Sequence, residues 1–505
     1  MSVAAGTNIA GSGVVTIGVD LGTSGLKVIA LDVAGQVVGR ARQRYRTARP
    51  ELGAAEQHTG DWLRAIVACL QELGSQISPD RWAALGLSAM LPTLVALDGS
   101  HRPVGPAITW QDARADRAGD QFRASVGGEK LYQRTGQWVD GRYLVPMMTG
   151  VSTRRPDTAK IVRIIAGAKD FIFHWLTGEL LTDPSTAAGY GCFDLASGDW
   201  DPELAPHVPW ALPTVSAAAT VRTISLRRAV QLGIRPDLPI VLGAAHSVLG
   251  AYGLGIRSAG EVAYIAGTST VILGHYDKLV PDPQHRYLIT PLAEVGTPAG
   301  NGNQGALGAE MDLLATGSAL TWLAELLCLS GGPAEVASLS AGADPLQAPV
   351  FLPYLAPGEQ GALWDPELSG ALVGLSLSHG SADLARALQT GIVVESVRCL
   401  GVLSEIGPSH GPIRVGGAAG VGRPFAQDLA DAAERAVLIS PGEPDHSAVG
   451  AAMFAAQAIG IEQQATVPDT VLLHPDPSRK SQWEQLFQNH EVARVAQRTT
   501  RLESR

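Results

Sequence analysis

Cysteine is scarce. Cys69, Cys192, Cys328 and Cys399 are the only four in 505 residues, they lie far apart, and no two form a CxxC pair. That spacing excludes a disulfide framework and a cysteine-rich zinc site, and it fits a reduced, cytoplasmic setting. Aromatic residues make up only 5% of the chain and charged residues 17%. Positive charge is in deficit: 38 Lys and Arg face 48 Asp and Glu, for a formal net charge of −10, with the signs interspersed. A partner rich in phosphate, such as nucleic acid, would want a basic face, so none is expected. Long apolar runs are missing too. "AVGAAMFAAQAIGI" is too short to span a bilayer and reads as a buried helix, so no membrane is expected. The opening "MSVAAGTNIAGSG" has neither a basic stretch nor an apolar core, and residues 1–13 are expected to be a disordered leader.

What is present is the composition of a well-buried enzyme, with 46% hydrophobic residues. The length exceeds one ordinary core, so at least two domains are expected. "VVTIGVDLGTSGLKVIALDVAGQVVGRARQRY" reads as strand, turn, strand, turn, strand. A β-meander is not a strand feeding a helix, so a Rossmann or P-loop start is disfavoured despite the glycines. "TGDWLRAIVACLQELGSQI" has helical periodicity, with Thr59 as its expected cap. "WAALGLSAMLPTLVAL" reads as two strands broken at Pro92. "DLPIVLGAAHSVLGAYGLGI" reads as a buried strand followed by a helix of small residues.

A second meander, "GEVAYIAGTSTVILGHYD", matches the first. In both, an apolar strand runs into Gly-Thr-Ser and out into another apolar strand. Thr23 and Thr268 lie about half the chain apart, which points to a duplicated domain. The expected division is 14–255 and 256–505.

Two facing Gly-Thr-Ser hairpins can wrap the phosphates of a nucleotide. Their amides and hydroxyls donate to phosphate oxygens, and glycine removes the Cβ that would block approach. Gly22, Thr23 and Ser24 form the first turn; Gly267, Thr268 and Ser269 form the second. Asp20 is a hard oxygen ligand at the right place for Mg²⁺, or else a turn-forming aspartate. Lys27 either reaches a phosphate or is a solvated strand lysine. Gly416, Gly417 and Ala418 follow a strand and precede an amphipathic helix, the setting for the adenosine end of ATP. His246 is the one polar side chain with acid–base chemistry in "GAAHSVLGAYGLG", and it is either a packed histidine or a functional group at a helix start.

At this point the chain, from about Val14 to about Ala493, closely resembles the FGGY carbohydrate kinase family of the actin-like ATPase superfamily, nearest in look to its xylulokinase branch. "IGVDLGTSGLKVIALD" and "YIAGTST" resemble its two phosphate motifs. "LVALDGSHRPVGPAITWQDAR" and "LTGELLTDPSTAAGYGCFDLASGDWD" resemble sugar-domain segments, and "LLATGSALTWL", "FLPYLAPGEQ" and "VGGAAGVGRPFAQDLAD" are similar to later family segments. The resemblance implies an α/β chain of two actin-like (ribonuclease H-like) domains with an interdomain cleft, the first sugar-binding and the second nucleotide-binding. It implies ATP- and Mg²⁺-dependent phosphorylation of a small-molecule sugar or polyol, with a homodimer left open. It places Met90, Leu91, Pro92, Trp110, Asp112 and His246 against the acceptor, and Gly317 with the nucleotide residues.

Three departures accompany the resemblance. His246 occupies the position where the family usually carries an aspartate base. Met90 and Pro92 stand where xylulokinases usually carry Gln and His, which makes a drier pocket. Gln360 replaces a usual cation. A neutral histidine accepts a hydroxyl proton as an aspartate does, and a general base contributes roughly 10²–10⁴-fold. Two function classes follow: a sugar or polyol kinase with an altered base, or a catalytically weak relative acting as a sugar- and nucleotide-binding regulatory protein. A chaperone-type ATPase shares the phosphate hairpins but not the sugar-domain segments.

Overall fold

The computed structural model describes residues 13–295, 305–356, 361–365, 367–417, 422–441, 445–463 and 470–503. The first half is built on a six-stranded sheet. Its strands are β1 (Val15–Leu21), β2 (Gly25–Asp32), β3 (Val37–Arg44), β4 (Trp82–Ala89), β5 (Val221–Thr223) and β6 (Pro239–Ala245), in spatial order β5-β6-β4-β1-β2-β3. β1, β2 and β3 are antiparallel neighbours, β1 runs parallel to β4, β4 parallel to β6, and β5 closes the edge antiparallel. Every residue of β1 and β4 is buried, as continuous apolar runs covered on both faces require.

The second half repeats the plan. Its strands are β7 (Val262–Ala266), β8 (Thr270–Tyr276), β9 (Leu288–Pro291), β10 (Leu307–Leu313), β11 (Ile413–Gly417), β12 (Val437–Ile439) and β13 (Val471–Leu473), in order β9-β10-β8-β7-β11-β12-β13. Here β7, β8 and β10 form the antiparallel meander, β7-β11-β12 are parallel, and β13 closes antiparallel. β7 thus corresponds to β1, and β8 to β2. The duplication read from the two Gly-Thr-Ser turns is a duplication of topology.

The helices used below are α1 (Thr59–Gln76), α2 (Ala168–Thr177), α3 (Pro184–Ala188), α4 (His246–Gly253), α5 (Gly317–Leu326), α6 (Ser381–Ile406), α7 (Arg423–Ala433), α8 (His446–Ala458) and α9 (Lys480–Glu503). α1 starts at Thr59, but its cap is His58, whose ring nitrogen accepts from the Gly60 amide. The Thr59 cap is therefore corrected: that residue is already in the first turn. α6 corrects a second expectation, because by length and composition it is apolar enough to cross a membrane. Of its most apolar window, 78% is buried inside the protein, and its Arg386 pairs with Asp428 of α7, so it reads as a core helix.

α4 and α8 explain the small residues of both segments. α8, from the second half, lies on the sheet of the first. A Cβ on Gly18 of β1 would sit 1.8 Å from the Ala448 carbonyl oxygen, and one on Gly86 of β4 would sit 2.3 Å from that of Ala451. α4 and α8 also cross at backbone distance: a Cβ on Gly450 would meet the Leu249 oxygen at 1.8 Å, and one on Gly253 the His446 oxygen at 2.1 Å. Both helices begin with His-Ser and carry Gly-Ala three residues after the serine. They are the same helix of the duplicated plan, meeting where the two halves join.

Candidate active site

The hairpin turns of β1-β2 and β7-β8 face one cleft of about 260 Å³ between the halves. Its walls include Gly22, Thr23 and Ser24 from one turn and Gly267, Thr268 and Ser269 from the other. The first turn is held from outside: the Tyr45 hydroxyl donates to the Gly22 carbonyl, Gln57 donates to that of Thr23 at 2.7 Å, and Trp110 Nε1 donates to Thr23 Oγ1 at 3.1 Å. In the second, Gly267 N bonds Ser269 O at 2.8 Å and Ser318 N bonds Thr268 O at 2.9 Å. The carbonyls of Gly22, Thr23, Thr268 and Ser269 are thereby occupied, while among the described residues the amides of Thr23, Ser24, Thr268 and Ser269 donate to no backbone acceptor. That is the donor set of an anion cradle.

His246 opens α4 at the floor of this cleft, with its side chain 34% exposed. Its Nδ1 lies 2.8 Å from Asp20 Oδ1, and Ser88 donates to the same oxygen at 3.0 Å. Asp20 is 1% exposed. Burial alone would raise its carboxyl, but the facing His246, Lys27 and the Ser88 hydroxyl together hold it below the usual carboxylate range. An ionised Asp20 makes Nδ1 the protonated nitrogen of His246 and leaves Nε2 as the acceptor. The strand that delivers His246 is itself anchored: Ser185 Oγ of α3 accepts from the Ala245 amide at 2.9 Å, and Lys169 of α2 reaches Leu242 O at 3.3 Å and Asp183 at 3.0 Å.

Met90, Leu91, Pro92 and Trp110 also line the cleft. Asp112 does not, and its expected contact with the acceptor is corrected. It is 2% exposed, and its oxygens take the Ala55 amide at 2.8 Å and the Arg114 guanidinium at 2.6 Å, a clamp between two loops. Lys27 is not free: half-buried, it lines the cleft and pairs with Asp445 at 3.0 Å, which also draws Arg40 and Arg42. Gly317, Gly416 and Gly417 stand behind the cleft. A Cβ on Gly317 would meet Gly267 O at 2.1 Å, one on Gly417, at φ +120°, would meet Ala266 O at 1.8 Å, and one on Gly416 would meet the His446 ring at 2.2 Å. These glycines seat the second turn against α5, β11 and α8. Ala418 and Gln360 lie outside the described residues.

Sequence reading missed the far wall. Gln137, Arg142 and Tyr143 come from a loop and helix start with no distinguishing pattern, and Glu310 and Asp312 come from β10. Arg142 is bound to Asp140 at 2.6 Å. Tyr143 donates to Gln137 at 2.9 Å. Burial pushes the Glu310 carboxyl up and Asp312 beside it pushes further; burial raises Asp312 as well, against the pull of Arg142. A signal for this pair did exist: "LGAEMDL" places two acids at i and i+2 in an otherwise apolar strand, so both project from one face.

A duplicated α/β fold, with paired phosphate-type turns and an acid–base group in the cleft, defines a phosphotransferase of the actin-like kind. The chain belongs to the FGGY family of carbohydrate kinases: the family's N-terminal domain matches residues 15–253 and its C-terminal domain residues 262–459. It is similar to the gluconokinase of Bacillus subtilis, 27% identical over 463 residues covering 88% of this chain and 87% of the relative. It is similar to the xylulose kinase of Escherichia coli, 27% identical over 454 residues covering 88% and 90%. Among solved structures, a xylulose kinase from Rhodospirillum rubrum shares 28% identity with a TM-score of 0.83, covering 96% of this chain and 99% of that one. A gluconate kinase from Lactobacillus acidophilus shares the fold, with a TM-score of 0.85 at 23% identity, covering 96% and 98%.

Proposed function

We propose that this carbohydrate kinase transfers a phosphoryl group from ATP to a hydroxyl of a small sugar or polyol, a xylulose-like ketose being the first acceptor to try, with His246 as the proton acceptor. The observation that carries this reading is the Asp20–His246 contact, because a histidine that merely packed would not need a buried, ionised carboxylate to fix its tautomer. His246 Nε2 takes the proton of the attacking hydroxyl, and Asp20 stabilises the imidazolium that forms. The turn amides of Thr23, Ser24, Thr268 and Ser269 hold phosphate oxygens. Met90, Pro92 and Trp110 give the acceptor an apolar side to pack on and exclude water.

The residues present fit a hydrated Mg²⁺, which takes one or two carboxylates and completes its shell with water and phosphate. Asp20, 1% exposed and not itself on the cleft surface, would hold it through a water at Oδ2, the oxygen that neither His246 nor Ser88 occupies. Bound there, the ion would neutralise phosphate charge as transfer proceeds. A cytoplasmic setting belongs to the same reading and suits four free cysteines, three of them buried. The test is a screen of ketoses, aldoses and polyols for acceptor-dependent ADP release. Release with one or more of them supports the proposal, and nucleotide binding without acceptor-dependent release from any compound overturns it in favour of a regulatory binding protein.

A further inference from the structure

The curated relatives include both gluconokinases, whose acceptor is an anion, and xylulose kinases, whose acceptor is neutral. The charges on the cleft wall separate these cases. Its cationic side chains are committed: Lys27 to Asp445 at 3.0 Å and Arg142 to Asp140 at 2.6 Å, with His246 turned to Asp20 at 2.8 Å. Its acids on the second-half wall are held less closely: Arg142 pulls on Asp312 without a contact ion pair, and the Thr290 and Ser247 hydroxyls approach Glu310. Among the described residues neither Glu310 nor Asp312 forms an ion pair, although both face the cleft from one side of β10 and Glu310 is 9% exposed. Ser247, next to His246 and 3% exposed, approaches Glu310 without a well-formed hydrogen bond of its own. A buried hydroxyl left in that state, beside two acceptor-rich side chains, is a place prepared for further hydroxyl groups.

Resting on the kinase reading, we propose that Glu310 and Asp312 are specificity-determining residues that read hydroxyl donors of an uncharged polyhydroxy acceptor and reject acceptors carrying a carboxylate. Neutral hydroxyls donate to the two side chains and to Ser247. An aldonate would bring a third carboxylate beside Glu310 and Asp312, where the nearest cation, Arg142, already serves Asp140 and pulls on Asp312, and such like-charge contact is how a site discriminates by repulsion. The selection comes from the second half of the chain, across the cleft from Met90 and Pro92, where polar contacts are few.

The experiment compares D-xylulose, glycerol, ribitol and D-gluconate in two assays on the full chain: coupled ADP release, and calorimetric binding to the nucleotide-loaded protein. It uses the native protein, E310Q, D312N and the double variant. The native protein is expected to favour at least one neutral compound over gluconate by roughly 100-fold or more in kcat/KM. In the double variant that ratio should shrink by about 10-fold or more, through a higher KM for the neutral acceptor and a lower one for gluconate, with kcat for the neutral acceptor changing less. Use or binding of gluconate as good as that of every neutral compound overturns the proposal. So does an unchanged ratio in a double variant that still melts in one cooperative transition at or above the native temperature, or failure of every neutral compound to bind. Absence of ADP release with all four compounds counts instead against the kinase reading, and the binding preference alone then decides the role of the acid pair.

Discussion

An imidazole at the start of a helix made of small residues is free to turn unless something holds it. Here Asp20 does, from β1 on the far side of β4, at 2.8 Å. The pair replaces a single carboxylate base with a base and an orienting group, so the two residues should fail differently. His246→Ala is expected to lower kcat/KM by about 10²–10⁴-fold while ATP affinity, read by calorimetry, stays within a few-fold of native. His246→Asp should retain measurable turnover, because a carboxylate at that position is also a proton acceptor. Asp20→Asn should depress turnover more than nucleotide affinity, since it loosens the tautomer of His246 and removes a charge where it matters most, as phosphate charge develops. An Asp20→Asn enzyme with native kcat would leave the contact without a catalytic role. Because its folded carboxyl is held below the ordinary range, Asp20 contributes stability above that range and loses it only as pH falls through the lowered value.

At the scale of elements, α4 and α8 matter more than their length suggests. Their crossing at Gly450 and Gly253 leaves no room for a methyl group, and the atoms in the way are backbone. Gly450→Ala is expected to cost about 1–3 kcal/mol, the range for forcing extra atoms into a packed site, and to shift α4 and so reduce turnover. Denaturant unfolding and the ADP assay check it together; a stable, fully active variant would mean that the crossing relaxes without moving His246. α9 carries a second sensitivity. His490 is buried against α6, and burial lowers it to about 4, with Arg398 adding to the effect. The unfolded chain charges near the ordinary histidine value and the folded chain resists, so this residue should take stability away as pH falls from about 6.5 toward 4. His490→Leu is expected to flatten the melting temperature over that window, and an unchanged slope would assign the acid loss elsewhere.

In the whole molecule, what is legible in the sequence is what depends on local pattern. The two Gly-Thr-Ser meanders announce the duplication because strand alternation and turn chemistry are short-range, and the burial of α8 follows from its composition. What is not legible depends on which distant segments meet. Asp112 has the letters of a cleft residue, yet Arg114 and the Ala55 amide claim it. Lys27 meets Asp445 because α8 crosses to the sheet of the other half. The His-Ser start shared by α4 and α8 is present in the letters but acquires meaning only once both helices are seen at the join. The acid pair on β10 is visible in the letters as two acids at i and i+2, but the cleft wall it joins is not, and it sets the last expectation. Glu310 and Asp312 are both raised, by burial first and, for Glu310, by Asp312 next. Raised acids favour the folded state least when they must ionise, so their burden grows as pH climbs from the ordinary carboxylate range through the raised values. Glu310→Gln with Asp312→Asn keeps shape and removes that burden. The double variant should therefore match the native melting temperature near pH 4 and exceed it by several degrees near pH 8, since each tenfold change in a group's proton affinity on folding is worth about 1.4 kcal/mol. Scanning calorimetry across that range is the check. A gap that stays constant with pH, or one that favours the native protein at pH 8, would mean that the two neighbouring carboxyls on β10 carry no burden from burial, and the case that they repel an anionic acceptor would lose its footing as well.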